Sequence, residues 1–204
     1  NYSNDNLPLF GISDHIFKTF DDRPNLFTKR EVRVQILADL ELPKNGVIWD
    51  VGAGCGSIGL EALRLSPNLD LFCIDKRIGS KALILENSEI LGVKPKFVFE
   101  EDIHNFLNTN NLNSFAKPNR LVIGGCDKKT KLQIINLLAQ DMSIGDIIVI
   151  PIIDIQTIKE LKEELEDKNF KTYLNLIQTY KSLSIAEGTR LEPNNPVFLL
   201  KGKK

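Results

Sequence analysis

The sequence predicts an α/β protein: a seven-stranded, mostly parallel sheet with an antiparallel last strand and helices on both faces. Three observations carry this. Apolar runs alternate with amphipathic segments, β then α, over most of the chain. The run Val47–Val51 breaks into Gly52-Ala53-Gly54-Cys55-Gly56, and a helical pattern (Ile58, Leu60, Ala62, Leu63, Leu65) starts directly behind it. The last apolar runs, Phe170 to Leu183 and Val197 to Leu200, read as two strands paired antiparallel at the edge.

Residues 1–27 are rich in Asn, Asp and Pro and carry Phe10, Phe17, Phe20 and Phe27. They predict an irregular arm laid over a domain that fills 28–204, because a disordered tail lacks such aromatics. Thr28-Lys29-Arg30-Glu31 has the form of a capping box, with the Thr hydroxyl capping and Glu31 reaching back. It opens a helix from about Lys29 to Leu40 that buries Val32, Ile36, Leu37 and Leu40. Pro43–Gly46 then turns into the first strand.

Beyond the glycine turn the helix runs to about Leu65, and Ser66-Pro67-Asn68 breaks it. Leu69 to Asp75 is the second strand, and the next helix runs from about Ile78 to Leu91, where Gly92 stops it. Phe97–Phe99 is the third strand; Arg120–Ile123, the fourth, runs into Gly124-Gly125. A helix follows from about Thr130 to Asp141, then a turn at Ser143–Asp146. Ile147 to Ile153 is apolar throughout, as a strand buried on both faces should be. Gln156 to Lys168 is a charged outer helix with i,i+4 ion pairs.

The glycine turn is the functional signal. Glycine serves where φ turns positive or where a ligand must lie against bare backbone. The turn aims free N–H groups and the positive end of a helix dipole at whatever sits above the strand, which predicts a nucleotide-type cofactor. Asp75 falls 19 residues after Gly56, close to the spacing at which a strand-end carboxylate receives ribose hydroxyls, with Lys76 beside it. Gly54-Cys55-Gly56-Ser57-Ile58-Gly59 also satisfies GxGxxG, so an NAD(P)-dependent oxidoreductase stays open as a second reading. Asp50, two residues before the first glycine, argues against it, since a carboxylate so placed would repel a pyrophosphate.

Composition narrows the partners. The 204 residues suffice for one well-cored domain, and 42% are apolar and 26% charged. A net charge of −1 gives no general pull toward nucleic acid or an anionic membrane, so an anionic ligand must be met by local basic clusters. Neither a signal peptide nor an apolar run of membrane-spanning length is present, and the three cysteines form no metal pattern. Both fit a cytoplasmic protein with no residue assigned to a metal. The chain starts at Asn1 rather than Met, as the C-terminal part of a longer fused protein would.

Asp50-x-Gly52-x-Gly54-x-Gly56 resembles motif I of the class I S-adenosylmethionine methyltransferases. That resemblance implies a Rossmann-like fold, with Asp50 near the cofactor ammonium and Gly52, Ala53, Gly54, Gly56 and Ser57 forming its loop. It also implies that the acid after the third strand takes the adenine amino group while an apolar neighbour packs on the ring. Asp102 and Ile103 match best among Glu100-Glu101-Asp102-Ile103, and Gly124 closes the site.

Further stretches narrow the family. Gly11-Ile12-Ser13-Asp14, Thr28-Lys29-Arg30-Glu31-Val32-Arg33 and Asn195-Pro196-Val197, together with motif I, resemble the decarboxylating precorrin methyltransferases of cobalamin biosynthesis. The resemblance implies methylation of carbon 15 of an anionic tetrapyrrole, loss of the carboxyl of the acetate on carbon 12, and a homotetramer. In some members the domain is fused to a second precorrin methyltransferase. A polycarboxylate substrate needs cations, and Thr28, Lys29, Arg33, Lys128 and Arg190 are the expected contacts, with Gly125 admitting the flat ring. Arg30 points about 100° away from Lys29 and Arg33 on the helix and is left to the surface.

His15, on the arm, is the candidate proton shuttle. Where the family continues the double glycine with Ser-Gly-Gly, this chain has Cys126-Asp127-Lys128, and Asp127 would repel a substrate carboxylate unless a lysine neutralises it. A class I methyltransferase of another small molecule or RNA, and a non-catalytic S-adenosylmethionine-binding regulator, also remain compatible with these motifs.

Overall fold

A computed structural model describes residues 7–24, 27–109 and 115–204. One sheet holds seven strands: β1 (Gly46–Val51), β2 (Leu69–Asp75), β3 (Phe97–Glu100), β4 (Arg120–Ile123), β5 (Ile147–Ile152), β6 (Lys171–Ile177) and β9 (Val197–Lys203). Their order across the sheet is β3-β2-β1-β4-β5-β9-β6. The first five are parallel, and β9 inserts antiparallel between β5 and β6, from Ile152↔Phe198 to Ile147↔Lys203 on the β5 side. The strand order reverses at β1, and a crevice lies above the carboxyl ends at that switch point.

Three helices cover each face. α1 (Arg30–Asp39), α2 (Ser57–Leu65) and α3 (Ser80–Leu91) pack with Ile48, Leu71 and Val149. α4 (Ile103–Thr109), α5 (Lys128–Leu138) and α6 (Ile158–Asp167) pack with Trp49, Phe72 and Ile148. The alternation of Ile48 and Trp49 is the period-two pleat of β1. Val32, Ile36, Leu37 and Leu40 are buried as expected, each worth roughly 1.5–3 kcal/mol of transfer free energy. The expected ion pairs of α6 form at Lys159–Glu163 and Lys162–Glu166. Among the described residues no helix is long and apolar enough to cross a membrane.

The C-terminal third differs from the reading of one strand from Phe170 to Leu183. β6 ends at Ile177, and β7 (Tyr180–Ile185) pairs with β8 (Gly188–Pro193) as a separate, wholly exposed hairpin. Its turn, Ala186-Glu187, lacks the Asn-Gly or Asp-Gly signature that marks a two-residue hairpin loop. α4 is a further addition to the expected elements; it is short and begins where Asp102 Oδ1 accepts the His104 N–H at 2.9 Å.

The arm, over residues 7–24, lies against α2 and α3 and buries Ile12, Ile16 and Phe17. It also corrects the capping box. α1 begins at Arg30, with Lys29 as N-cap and no side-chain cap bond from it, so Thr28 stands one residue too early to cap. Asp14 of the arm supplies the cap instead, its Oδ1 accepting the Arg30 N–H at 2.9 Å.

Candidate functional site

A cavity of about 1330 Å³ opens over the carboxyl ends of β1, β2, β4 and β5. The loops after those strands form one wall, and the arm with the turn into α1 forms another. The segment from Pro193 to Val197 closes the third side.

The glycines of the turn do different jobs. Gly54 has φ +59°, and a Cβ there would meet nothing within 4 Å, so bare backbone faces open space. Gly52 and Gly124 instead let two loops touch: a Cβ on Gly52 would lie 2.8 Å from the Gly125 nitrogen, and one on Gly124 would lie 2.9 Å from the Gly52 oxygen. A Cβ on Gly125 would come no nearer than 4.0 Å to Gly52, which leaves its face clear for a flat ligand. Gly56 caps α2 from outside the cavity wall, while Ala53 and Ser57 line it.

Asp75 stands at the end of β2 and lines the cavity. Its Oδ2 accepts the Gly54 N–H at 2.7 Å and its Oδ1 accepts the Arg77 N–H at 2.8 Å. A carboxylate has about four lone-pair sites, so it can hold both turns and still accept ligand hydroxyls. Lys76 lies 3.9 Å from Asp102, and Glu101, Asp102 and Ile103 all line the cavity. Glu100 does not; its Oε2 accepts the Gly79 and Lys81 N–H groups at the start of α3.

Asp50 is placed otherwise than expected. The pleat turns it toward α2, where Oδ2 accepts the Gly59 N–H at 2.9 Å, and it is 1% exposed and off the cavity wall. Burial pushes its carboxyl up to about 7, with nearby Asp75 adding to the rise and the Gly59 bond opposing it. Sealed off the wall, Asp50 is not the cavity-facing carboxylate that the sequence placed beside the cofactor.

The expected substrate contacts divide. Thr28, Lys29 and Lys128 line the cavity, with Lys29 4.3 Å above the Phe27 ring and Lys128 paired to Glu160 at 2.8 Å. Arg33 is corrected from a mouth residue to a buried strut at 0% exposure. It pairs with Glu61 and Asp14 and donates to the Thr28 and Ile12 carbonyls. The helical spacing that grouped it with Lys29 did not reveal that the arm covers that face. Arg190 is likewise corrected, because β8 carries it on the exposed hairpin, 3.9 Å from Glu192 and off the cavity wall. His15 is exposed and off the wall, with Nδ1 2.8 Å from Ser13 Oγ.

Asp127 caps α5, accepting the Thr130 N–H at 2.9 Å and hydroxyl at 3.1 Å, and the backbone bond holds its carboxyl below the ordinary range. The departure from Ser-Gly-Gly is thus a helix cap. Among the wall residues that the sequence did not point to are Arg23, Arg77, Cys126 and Lys131. Arg77 stacks 3.9 Å from the Phe20 ring and pairs with Asp22, tying the arm to the turn after β2. Its position directly after Asp75-Lys76 was the available signal.

A family model described as the precorrin methyltransferase domain matches residues 19–204. A Saccharolobus solfataricus protein described as a probable cobalt-precorrin-6B C(15)-methyltransferase (decarboxylating) is 30% identical over 202 residues, covering 98% of each chain. The crystal structure of precorrin-6y C5,15-methyltransferase from Geobacter metallireducens superposes with a TM-score of 0.83 at 26% identity, over 98% of this chain and 100% of that one. Precorrin 8W decarboxylase from Methanobacterium thermoautotrophicum shares the fold, with a TM-score of 0.81 at 24% identity over 95% of this chain and 100% of that one.

Proposed function

Since the chain belongs to the precorrin methyltransferase family, we propose that it methylates carbon 15 of a precorrin and removes the carboxyl of the acetate on carbon 12. The observation that carries this reading is the single cavity in which bare backbone at Gly54 and the Asp75 carboxylate meet a wall bearing Arg23, Lys29, Lys128 and Lys131.

The residues present fit S-adenosylmethionine. Gly52, Ala53, Gly54 and Ser57 offer backbone to its amino-acid end, with Asp50 and Gly56 holding that loop from beneath. Asp75 and Lys76 would meet the ribose, Asp102 the adenine amino group and Ile103 the ring, while Gly124 keeps the two loops in contact. The cofactor, when bound, supplies an electrophilic methyl group. An electron-rich macrocycle carbon needs no strong base to attack it, so the protein's share is positioning and exclusion of water. The acetate can lose carbon dioxide with the conjugated ring as electron sink, and the cations hold the remaining carboxylates.

The same reading includes cytoplasmic residence, which free Cys55, Cys73 and Cys126 suit, and a homotetramer. Exposed Leu174, Leu176, Ile185 and Leu191 on β6 and the hairpin are apolar surface that assembly would cover. A fused partner domain also belongs to it, carried by the family resemblance alone. Thermal shift with S-adenosylhomocysteine against NADH tests the cofactor: stabilisation by NADH alone would return the dinucleotide reading, and methyl transfer to precorrin-6B tests the substrate.

A further inference from the structure

Arg33, Arg120 and Lys131 are all buried cations, at 0%, 8% and 8% exposure. Buried charges persist when they are paired or fully hydrogen-bonded. Arg33 has Glu61 at 2.7 Å. Arg120 spends its guanidinium on the carbonyls of Leu40, Glu41 and Asn119. Lys131 donates to the Cys126 carbonyl, and among the described residues it joins no ion pair within 4.0 Å.

The acid whose charge reaches it, Asp127, is engaged as the cap of α5. An ammonium carries three donors, and the Cys126 carbonyl takes one. The same lysine lines the cavity, as does Gly125, whose face is clear of side chains.

We propose that Lys131 receives a carboxylate of the substrate and is a specificity-determining contact for a polycarboxylate macrocycle. This rests on the reading of the substrate as a precorrin. A flat ring lying along Gly125 brings its peripheral acids toward the first turns of α5. There the Cys126 carbonyl already aims the ammonium, and the low-water setting strengthens a charge-assisted bond. Loss of water also lowers the lysine's affinity for its proton, against the pull of Cys126 and Asp127, and an arriving anion relieves that cost.

The test uses uroporphyrin as a polycarboxylate ring, with its methyl ester as the uncharged counterpart, by fluorescence titration in the presence of S-adenosylhomocysteine. The wild-type chain should bind the acid at least ~10-fold more tightly than the ester, as several charge-assisted contacts require. Lys131→Met should cut that acid-to-ester ratio by ~5-fold or more, and Lys131→Arg should keep most of it. S-adenosylhomocysteine affinity should stay unchanged in both. A wild-type chain without preference for the acid would overturn the substrate reading itself. A normal wild-type preference that persists in Lys131→Met would overturn the role of Lys131 alone. In the wild-type protein the Lys131 Nζ resonance should shift on adding the acid and not the ester; an unmoved resonance with the acid bound would also sink the proposal, whether or not the methionine variant folds.

Discussion

Arg33 Nε donates to Glu61 Oε2 at 2.7 Å, and neither side chain is exposed to solvent. The pair joins α1 to α2, and Glu61 Oε1 also accepts the Gly11 and Ile12 N–H groups, so the arm is clamped by the same two residues. Breaking one partner leaves an uncompensated buried charge, which costs about 3–5 kcal/mol. Arg33→Met should therefore destabilise the chain by that order in urea unfolding. Adding Glu61→Gln, which keeps an acceptor for the arm, should recover at least about half. A single mutant within ~0.5 kcal/mol of wild type would show that the clamp contributes little.

The ribose contact is tested at Asp75. Asp75→Ala should weaken S-adenosylhomocysteine by roughly 1.5–3 kcal/mol, about 10- to 150-fold, through lost hydroxyl bonds and a loosened Gly54. Asp70→Ala is the control, since Asp70 sits at the opposite end of β2 in an exposed pair with Lys96 and should change nothing. A loss of less than ~3-fold in Asp75→Ala would remove it from the ribose.

Asp50 predicts an unusual pH dependence. Its carboxyl rises from an ordinary 3.8 to about 7 on folding, so the folded chain holds that proton more tightly than the unfolded one. Stability from this group is complete below pH 3.8 and is lost as the pH climbs through about 7. Asp50→Asn keeps an acceptor for the Gly59 N–H and should flatten stability across that window, gaining on wild type at pH 8. Parallel wild-type and mutant profiles would place the titration elsewhere.

At the cavity mouth, Arg23 and Lys29 replace the expected pair of Lys29 and Arg33. The Arg23→Ala/Lys29→Ala double mutant should bind a polycarboxylate tetrapyrrole less tightly at low salt, by about 1 kcal/mol per charge. The deficit should shrink toward 1 M salt, where the Debye length falls to about 3 Å. Unchanged affinity at low salt would leave the gathering to Lys128 and Lys131.

What was legible in the sequence was local. β2 and the end of α3 at Gly92 fall where period and punctuation put them, because an apolar run and a left-handed cap are written in consecutive residues. That Gly54 and Asp75 line one cavity follows for the same reason, since each stands just beyond or at the end of a strand. The burial of Arg33 depends on the arm and on Glu61, 28 residues away, and no spacing on α1 encodes either. The cap of α1 went wrong likewise, since Asp14 reaches it across 16 residues. The inward placing of Lys131 is set by how α5 docks, and nothing in the sequence separates it from the exposed Lys128 one turn earlier.

Under the proposed function, one cavity couples methyl transfer to decarboxylation. It is tested most directly by incubating the chain with methyl-labelled S-adenosylmethionine and precorrin-6B, or its cobalt form, and following both products in one sample. Coupling predicts labelled methyl on carbon 15 and carbon dioxide from the carbon-12 acetate in equal amounts, with both reduced together in Asp75→Ala at subsaturating S-adenosylmethionine. Methyl transfer to neither form of the substrate, while S-adenosylhomocysteine still binds, would contradict it.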